Sequence, residues 1–219
     1  MTIFPRIVLL CVVCCAILSA GEAVGPRKEA RAVRLTALVT LDGRLEEAAW
    51  KTVPVFSGFQ RLLTDMSQEA IPAAMQTSFQ IAFDDGALYV GVRCNEPEMA
   101  KLNPYTVTSQ WDAAMWGNDD VELFIDPVGD RREKYQFAAD PEGAQCDLYF
   151  IEGGRTGKPY SAIWEVKTHK GTDFWSAEFR IPFAALHMRP SAMWADTWVF
   201  SIARSRLGGG RQGFTHSTF

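Results

Sequence analysis

The sequence predicts an all-β domain: a two-sheet antiparallel β-sandwich of immunoglobulin-like or jelly-roll type, with one or two short helical turns. Three observations carry that prediction. Apolar and polar residues alternate in eight separate stretches, turn residues close each stretch, and helical periodicity is scarce.

The chain opens MTIFPRIVLLCVVCCAILSAGEA, where Arg6 is a minimal positive region before an unbroken apolar run from Ile7 to Leu18. That run is shorter than the roughly 20 residues a membrane helix needs. It fits the apolar core of a secretory signal peptide, and Gly21-Glu22-Ala23 supplies a small-x-small cleavage site. Residues 1–23 are therefore read as a signal peptide, and the mature protein as secreted or cell-surface. Cys14 and Cys15 keep a lipoprotein signal open as a second reading, although neither follows the small residue such a signal prefers. Residues 24–32, VGPRKEARA, read as a polar leader, and the sandwich is assigned to 33–219.

After the LDG turn, RLEEAAWKTV (44–53) has the spacing for one or two helical turns. TSFQIAFDDG then places Phe79, Ile81 and Phe83 on one strand face, and ALYVGVRCNEP places Leu88, Val90, Val92 and Cys94 together. DDVELFIDP, KYQFAADPEG and QCDLYFIEGG follow, each closed by Asp, Pro or Gly. SAIWEVKTH and DFWSAEFRI come next; IPFAALHM is a second helical candidate, with Pro182 near its start. DTWVFSIARSR is the last long strand, and the ending GFTHSTF has no polar tail, which implies that a final strand is lacking.

Two cysteines, Cys94 and Cys146, remain beyond the signal peptide. An oxidising compartment invites a disulfide between them, and closing such a loop would stabilise by about 4 kcal/mol in the chain-entropy model. Cys94 shares a face with Leu88, Val90 and Val92, and Cys146 with Leu148 and Phe150. Both are expected to face the core, as a cross-sheet bridge or as buried thiols.

The formal charge is −4, and Lys and Arg form no stripe of the kind a nucleic-acid surface uses. Neither G-x-S-x-G nor H-E-x-x-H occurs, and His169, His187 and His216 have no ligand spacing. Glu122 and Asp126 would stand about 13 Å apart along one strand face. Asp120 and Glu122, at about 7 Å, fall within the range for a glycosidase pair. Both come from one side of a single strand, whereas a catalytic pair flanks the bond. The chain is read as non-catalytic. The turns FDDG, GNDD, DPVGD and DPEG offer hard oxygen ligands that admit structural calcium, though Asp, Asn and Gly are also simply what turns prefer. No other cofactor is expected.

AMWGNDDVELFID holds the candidate site. Trp116 sits beside a turn, where loops carry function, and Glu122 can accept hydrogen bonds from hydroxyls. An indole face and a carboxylate together suit a sugar; packing of the indole is the competing reading.

The chain resembles a family 9 carbohydrate-binding module in VTLDGRLEEAAWKTVP, TSFQIAFDDGALYVGVRCNEPE, WGNDDVELFIDP, YQFAADPEG, WSAEFRIPFAAL and WVFSIARSR, taken in order. The resemblance implies a β-sandwich that binds saccharides without hydrolysing them, often attached to a glycoside hydrolase as partner. In members that bind, two tryptophans clamp a terminal sugar, and the first matches Trp116. A sugar-contacting glutamate matches Glu122. The second tryptophan belongs to a segment after the late strands, and this chain ends at Phe219 before reaching it. Binding members also carry an arginine after the QF pair, where this chain has Ala138; Asp140 is the nearest polar replacement. Two other readings stay open. One is an interaction module of a cell-surface protein without a sugar ligand. The other is a haem-binding relative of the same sandwich, for which Met115 is the available axial ligand.

Signal-peptide cleavage predicts an N-terminus at or near Val24 for protein recovered from outside the cytoplasm. Intact-mass spectrometry checks it; an unprocessed N-terminus in a cytosolic fraction would contradict it.

Overall fold

A computed structural model describes residues 28–62, 68–104, 115–151, 155–156, 160–187, 197–207 and 215–218. The expected signal peptide lies outside the described residues, as do residues 24–27 of the leader. The strands, in chain order, are β1 (Val33–Arg34), β2 (Phe56–Ser57), β3 (Gln60–Leu62), β4 (Gln68–Ala70) and β5 (Thr77–Phe83). There follow β6 (Ala87–Asn95), β7 (Asp120–Asp126), β8 (Lys134–Ala139), β9 (Gln145–Ile151) and β10 (Arg155–Thr156). The last are β11 (Glu165–Lys170), β12 (Phe174–Pro182), β13 (Val199–Arg206) and β14 (Thr215–Thr218). The two helical candidates are single 3₁₀ turns, Trp50–Thr52 and Phe183–Leu186.

Two sheets form the sandwich. The first runs β1-β5-β6-β12-β11, with β2 also pairing with β5; the second runs β10-β9-β8-β7-β13-β14-β3-β4. All pairings are antiparallel except that of β1 with β5. The eight strands read from alternation are all present. The six others are two to four residues long, too short for a period of two to be visible.

Between the sheets lies the main core. Phe79, Ile81, Val90, Val92, Cys94, Trp175, Ala177, Phe179 and Ile181 face Val121, Leu123, Ile125, Phe137 and Ile202. These are alternate residues of their strands, as the pleat requires. Asp147 of β9 also points inward. It is buried and accepts hydrogen bonds from the backbone N–H of Ala162 and the indole N–H of Trp164, both at 3.0 Å.

The outer face of the first sheet is covered as well. Trp50 packs with Val53, Ala82, Ala87 and Tyr89. Its indole N–H donates to Glu178 Oε1 at 2.7 Å, and the N–H groups of Asp42 and Gly43 donate to Oε2 at 2.8 and 2.7 Å. Gly43 is required here: its φ is +84°, and a Cβ would stand 2.5 Å from the backbone carbon of Thr168.

One ionic cluster joins the two sheets. Glu96, just past β6, accepts from Arg206 Nε at 2.6 Å and Nη2 at 2.8 Å, and from Arg204 Nη2 at 3.1 Å. Arg204 Nη1 also donates to the carbonyls of Met75 and Asn95, at 3.1 and 2.9 Å. The Glu96 and Arg204 side chains are each 2% exposed.

Cys94 and Cys146 are both buried thiols, the second of the two readings, and only Cys94 faces the core as expected. Cys94 lies in the core between the sheets, and burial pushes its thiol up to about 11. Cys146 belongs to a separate cluster with Met115, Ala138, Ala144 and Leu148. Because Asp147 and Tyr149 take the inward positions of β9, Cys146 is left on the outer face of its sheet. The thickness of that sheet therefore separates the two sulfurs.

Burial lowers the tolerance for breaking the ionic cluster. Its carboxylate lies below the usual glutamate range because Arg206, the Glu98 N–H and Arg204 together outweigh desolvation. Glu96→Gln would remove the carboxylate that two interior guanidiniums share, leaving Arg206 only its pair with the more exposed Glu98, and should cost about 3–5 kcal/mol. Urea unfolding at neutral pH measures the loss.

Candidate functional site

The turn ahead of β7 is built before it is functional. Met115 is fully buried in the cluster with Ala138, Ala144 and Cys146, and so anchors one end. The Asn118 N–H donates to the Met115 carbonyl at 3.0 Å, and Gly117 supplies the left-handed φ of +92°. Asp119 anchors the other end. Its Oδ2 accepts from the Asn103 N–H at 2.7 Å and its Oδ1 from the Leu207 N–H at 3.2 Å. Trp116, held between these anchors, is 46% exposed. Met115, the methionine of the haem reading, is thus packed against Ala138, Ala144 and Cys146.

The three acidic residues of this stretch thus divide between two roles. Asp119 holds the turn. Asp120 and Glu122 enter the outer face of the second sheet, since Val121 and Leu123 face the core. In register, Glu122 is flanked by Ala138 on β8 and Ala203 on β13, two small side chains. Gln136 donates its amide N–H to Glu122 Oε2. Burial raises the Glu122 carboxyl above its usual range, and this hydrogen bond offsets part of the rise.

Asp120 is more unusual. It is 1% exposed, and neither carboxylate oxygen has a hydrogen-bond partner among the described residues. Ser205 stands opposite it on β13. Burial, followed by the charge of Glu122, pushes Asp120 well above the ordinary aspartate range, and Ser205 offsets part of this. A buried polar group without a partner costs about 1–3 kcal/mol, more when charged. Such a carboxyl is a ready acceptor for a hydroxyl, or a donor when protonated.

Asp140 is fully buried at the end of β8, and its Oδ1 accepts from the N–H groups of Glu142 at 3.0 Å and Ala144 at 2.8 Å. It builds the DPEG turn. Asp84 and Asp126 do the same in their turns. Asp84 Oδ1 accepts from Gly86 and Ala87, and Asp126 accepts from Val128, Gly129 and Arg131. Backbone N–H groups thus take up carboxylate oxygens in the FDDG, DPVGD and DPEG turns. Among the described residues, Asp42, Glu47 and Glu178 bring carboxylate oxygens within 4.8 Å of one another, but both Glu178 oxygens already accept hydrogen bonds.

Sequence reasoning did not assign Asp120 or Gln136 to the sugar site. Asp120 was accessible from parity alone, because it shares Glu122's face. Gln136 required the β7–β8 register, which the intervening loop sets.

Removal of the unpartnered charge supplies a test. Asp120→Asn should stabilise the protein by about 1–3 kcal/mol at pH 7. The native carboxyl is raised above its unfolded value, so it weakens the fold as pH rises from that value through the native one. The advantage of Asn should therefore fade as pH falls towards the ordinary aspartate value of about 3.9. Thermal melts of both proteins from pH 3.5 to 8 measure it.

No curated protein matches the chain in sequence. Solved structures share its fold. A candidate carbohydrate-binding protein from Bacteroides uniformis ATCC 8492 superposes with a TM-score of 0.61 at 14% identity, over 85% of this chain and 87% of that one. A family 9 carbohydrate-binding module from Caldicellulosiruptor kristjanssonii in complex with cellotriose gives 0.51 at 18% identity, over 87% and 82%. Its glucose complex gives 0.50 at 17%, over 86% and 84%. The family model for carbohydrate family 9 binding domain-like proteins matches residues 41–196. Because that match spans most of the chain, the chain belongs to the carbohydrate family 9 binding domain-like family.

Proposed function

We propose that this protein is an exported, non-catalytic saccharide-binding domain that serves a glycoside hydrolase as an accessory module. The observation that carries this reading is the half-exposed Trp116, held on an anchored turn beside the strand whose outer face bears Asp120 and Glu122. The indole offers an apolar platform to the C–H face of a sugar ring. The carboxyls take its hydroxyls, with Gln136 orienting Glu122. Charge-assisted hydrogen bonds of this kind fix orientation as well as affinity.

Family membership supports saccharides as the ligand class, as do the fold relatives holding cellotriose and glucose. Geometry supports non-catalytic action. Asp120 and Glu122 project from one face of one strand, so they approach a bound ring from the same side, whereas hydrolysis needs two carboxyls that flank the scissile bond.

Trp116→Ala should abolish retention on a saccharide affinity gel while leaving the thermal melt within a few degrees of the parent. Glu122→Gln should weaken binding by about tenfold or more, corresponding to a hydrogen bond with a charged partner. Isothermal titration with a panel of neutral oligosaccharides reads both. A folded Trp116→Ala protein that binds as tightly as the parent would refute the proposal.

A further inference from the structure

The face bearing Glu122 does not end there. Phe124 is the next outward residue of β7, with Gln136 opposite it on β8. Beyond them, Phe124, Lys134, Phe150 and Val199 line a cleft of about 490 Å³. It lies at the far end of β7 from Trp116, and its charge is of the opposite sign.

The Lys134 ammonium stands 5.1 Å from the centre of the Phe124 ring and 5.2 Å from that of Phe150. Neither Lys134 nor Arg131, also on the cleft wall, has an ion pair among the described residues. The two carboxylates on the wall are engaged. Asp126 accepts three backbone N–H groups, and Glu133 accepts the Tyr149 hydroxyl. The cleft therefore combines two aromatic rings with cations not paired to carboxylates. A sugar unit carrying a carboxylate or sulfate fits this combination: the rings take its apolar face and the cations its anion. The Trp116 end, with Asp120 and Glu122, would repel such a group, so one sheet face separates a neutral ring from an acidic one.

We infer that the cleft between Phe124 and Phe150 is a second saccharide subsite, selective for an anionic sugar unit through Lys134 and Arg131. It rests on the saccharide reading of the Trp116 end, which sets the ligand class.

Titration of the intact protein with cellotriose, tri-galacturonic acid and a sulfated galactose trimer tests this. At least one acidic trimer should bind tenfold or more tightly than cellotriose, with an advantage that shrinks as salt rises. The double variant Lys134→Glu, Arg131→Glu should lose that advantage and keep its cellotriose affinity; Phe150→Ala should weaken the acidic trimer without adding charge. The comparison of galacturonic acid with sulfate decides which anion is preferred, and equal affinity supports recognition of either. Equal binding of neutral and acidic trimers, or an advantage surviving the double substitution, overturns the subsite and leaves the Trp116 site standing. Binding of acidic trimers alone, unaffected by Trp116→Ala, supports the cleft and defeats the neutral site. Failure of all three to bind overturns both.

Discussion

The Glu96 carboxylate, held by Arg204 and Arg206, is the interaction on which the site end of the sandwich depends. Glu96 follows β6, one of the two longest strands of the first sheet, and the arginines end β13 in the second. Their union closes the sandwich where β7 begins. Arg204 also ties down the carbonyls of Met75 and Asn95, so three chain segments converge on one guanidinium. A buried ion cluster is a poor source of net stability, because desolvation offsets most of its attraction. Its value here is positional: only one relative placement of the sheets satisfies both guanidiniums.

That placement sets the geometry of the candidate site. Leu207, directly after β13, donates its N–H to Asp119, and Asn103 donates from the other side. The turn carrying Trp116 is thereby referenced to the same strand end that holds Glu96. Met115 adds an apolar anchor beneath it. An aromatic platform fixed at both sides binds with less loss of conformational freedom than one on a free loop.

The outer face of the second sheet combines unlike environments along a single strand. Asp120 and Glu122 lie at one end, small alanines flank Glu122, and Phe124 opens onto a cationic cleft at the other. Two buried carboxyls of raised pKa on one face are costly for folding. Such costs persist where function uses the groups, and here they stand beside the exposed indole.

Alternation in eight stretches was sufficient to read the class of fold and to place Val121 and Leu123 inward with Glu122 outward, because one inward residue sets a strand's parity. The same rule misassigned Cys146. It took the more apolar face of β9 as the core face, whereas Asp147 turns inward to satisfy Trp164 and Ala162, and Met115 buries the other side. Local pattern carries no information about a partner that arrives from elsewhere in the chain. The same limit explains the rest. The sequence by itself determined the eight longer strands and the face of Glu122, both of which follow from period and turn chemistry. Only tertiary structure decided that Trp116 stays half-exposed, that Asp119 pins the turn, that neither Asp120 oxygen meets a hydrogen-bond donor among the described residues, that Gln136 meets Glu122, and that the two cysteines lie on opposite sides of a sheet. Each of those depends on register and on contacts between distant segments, which the closing of the two sheets creates.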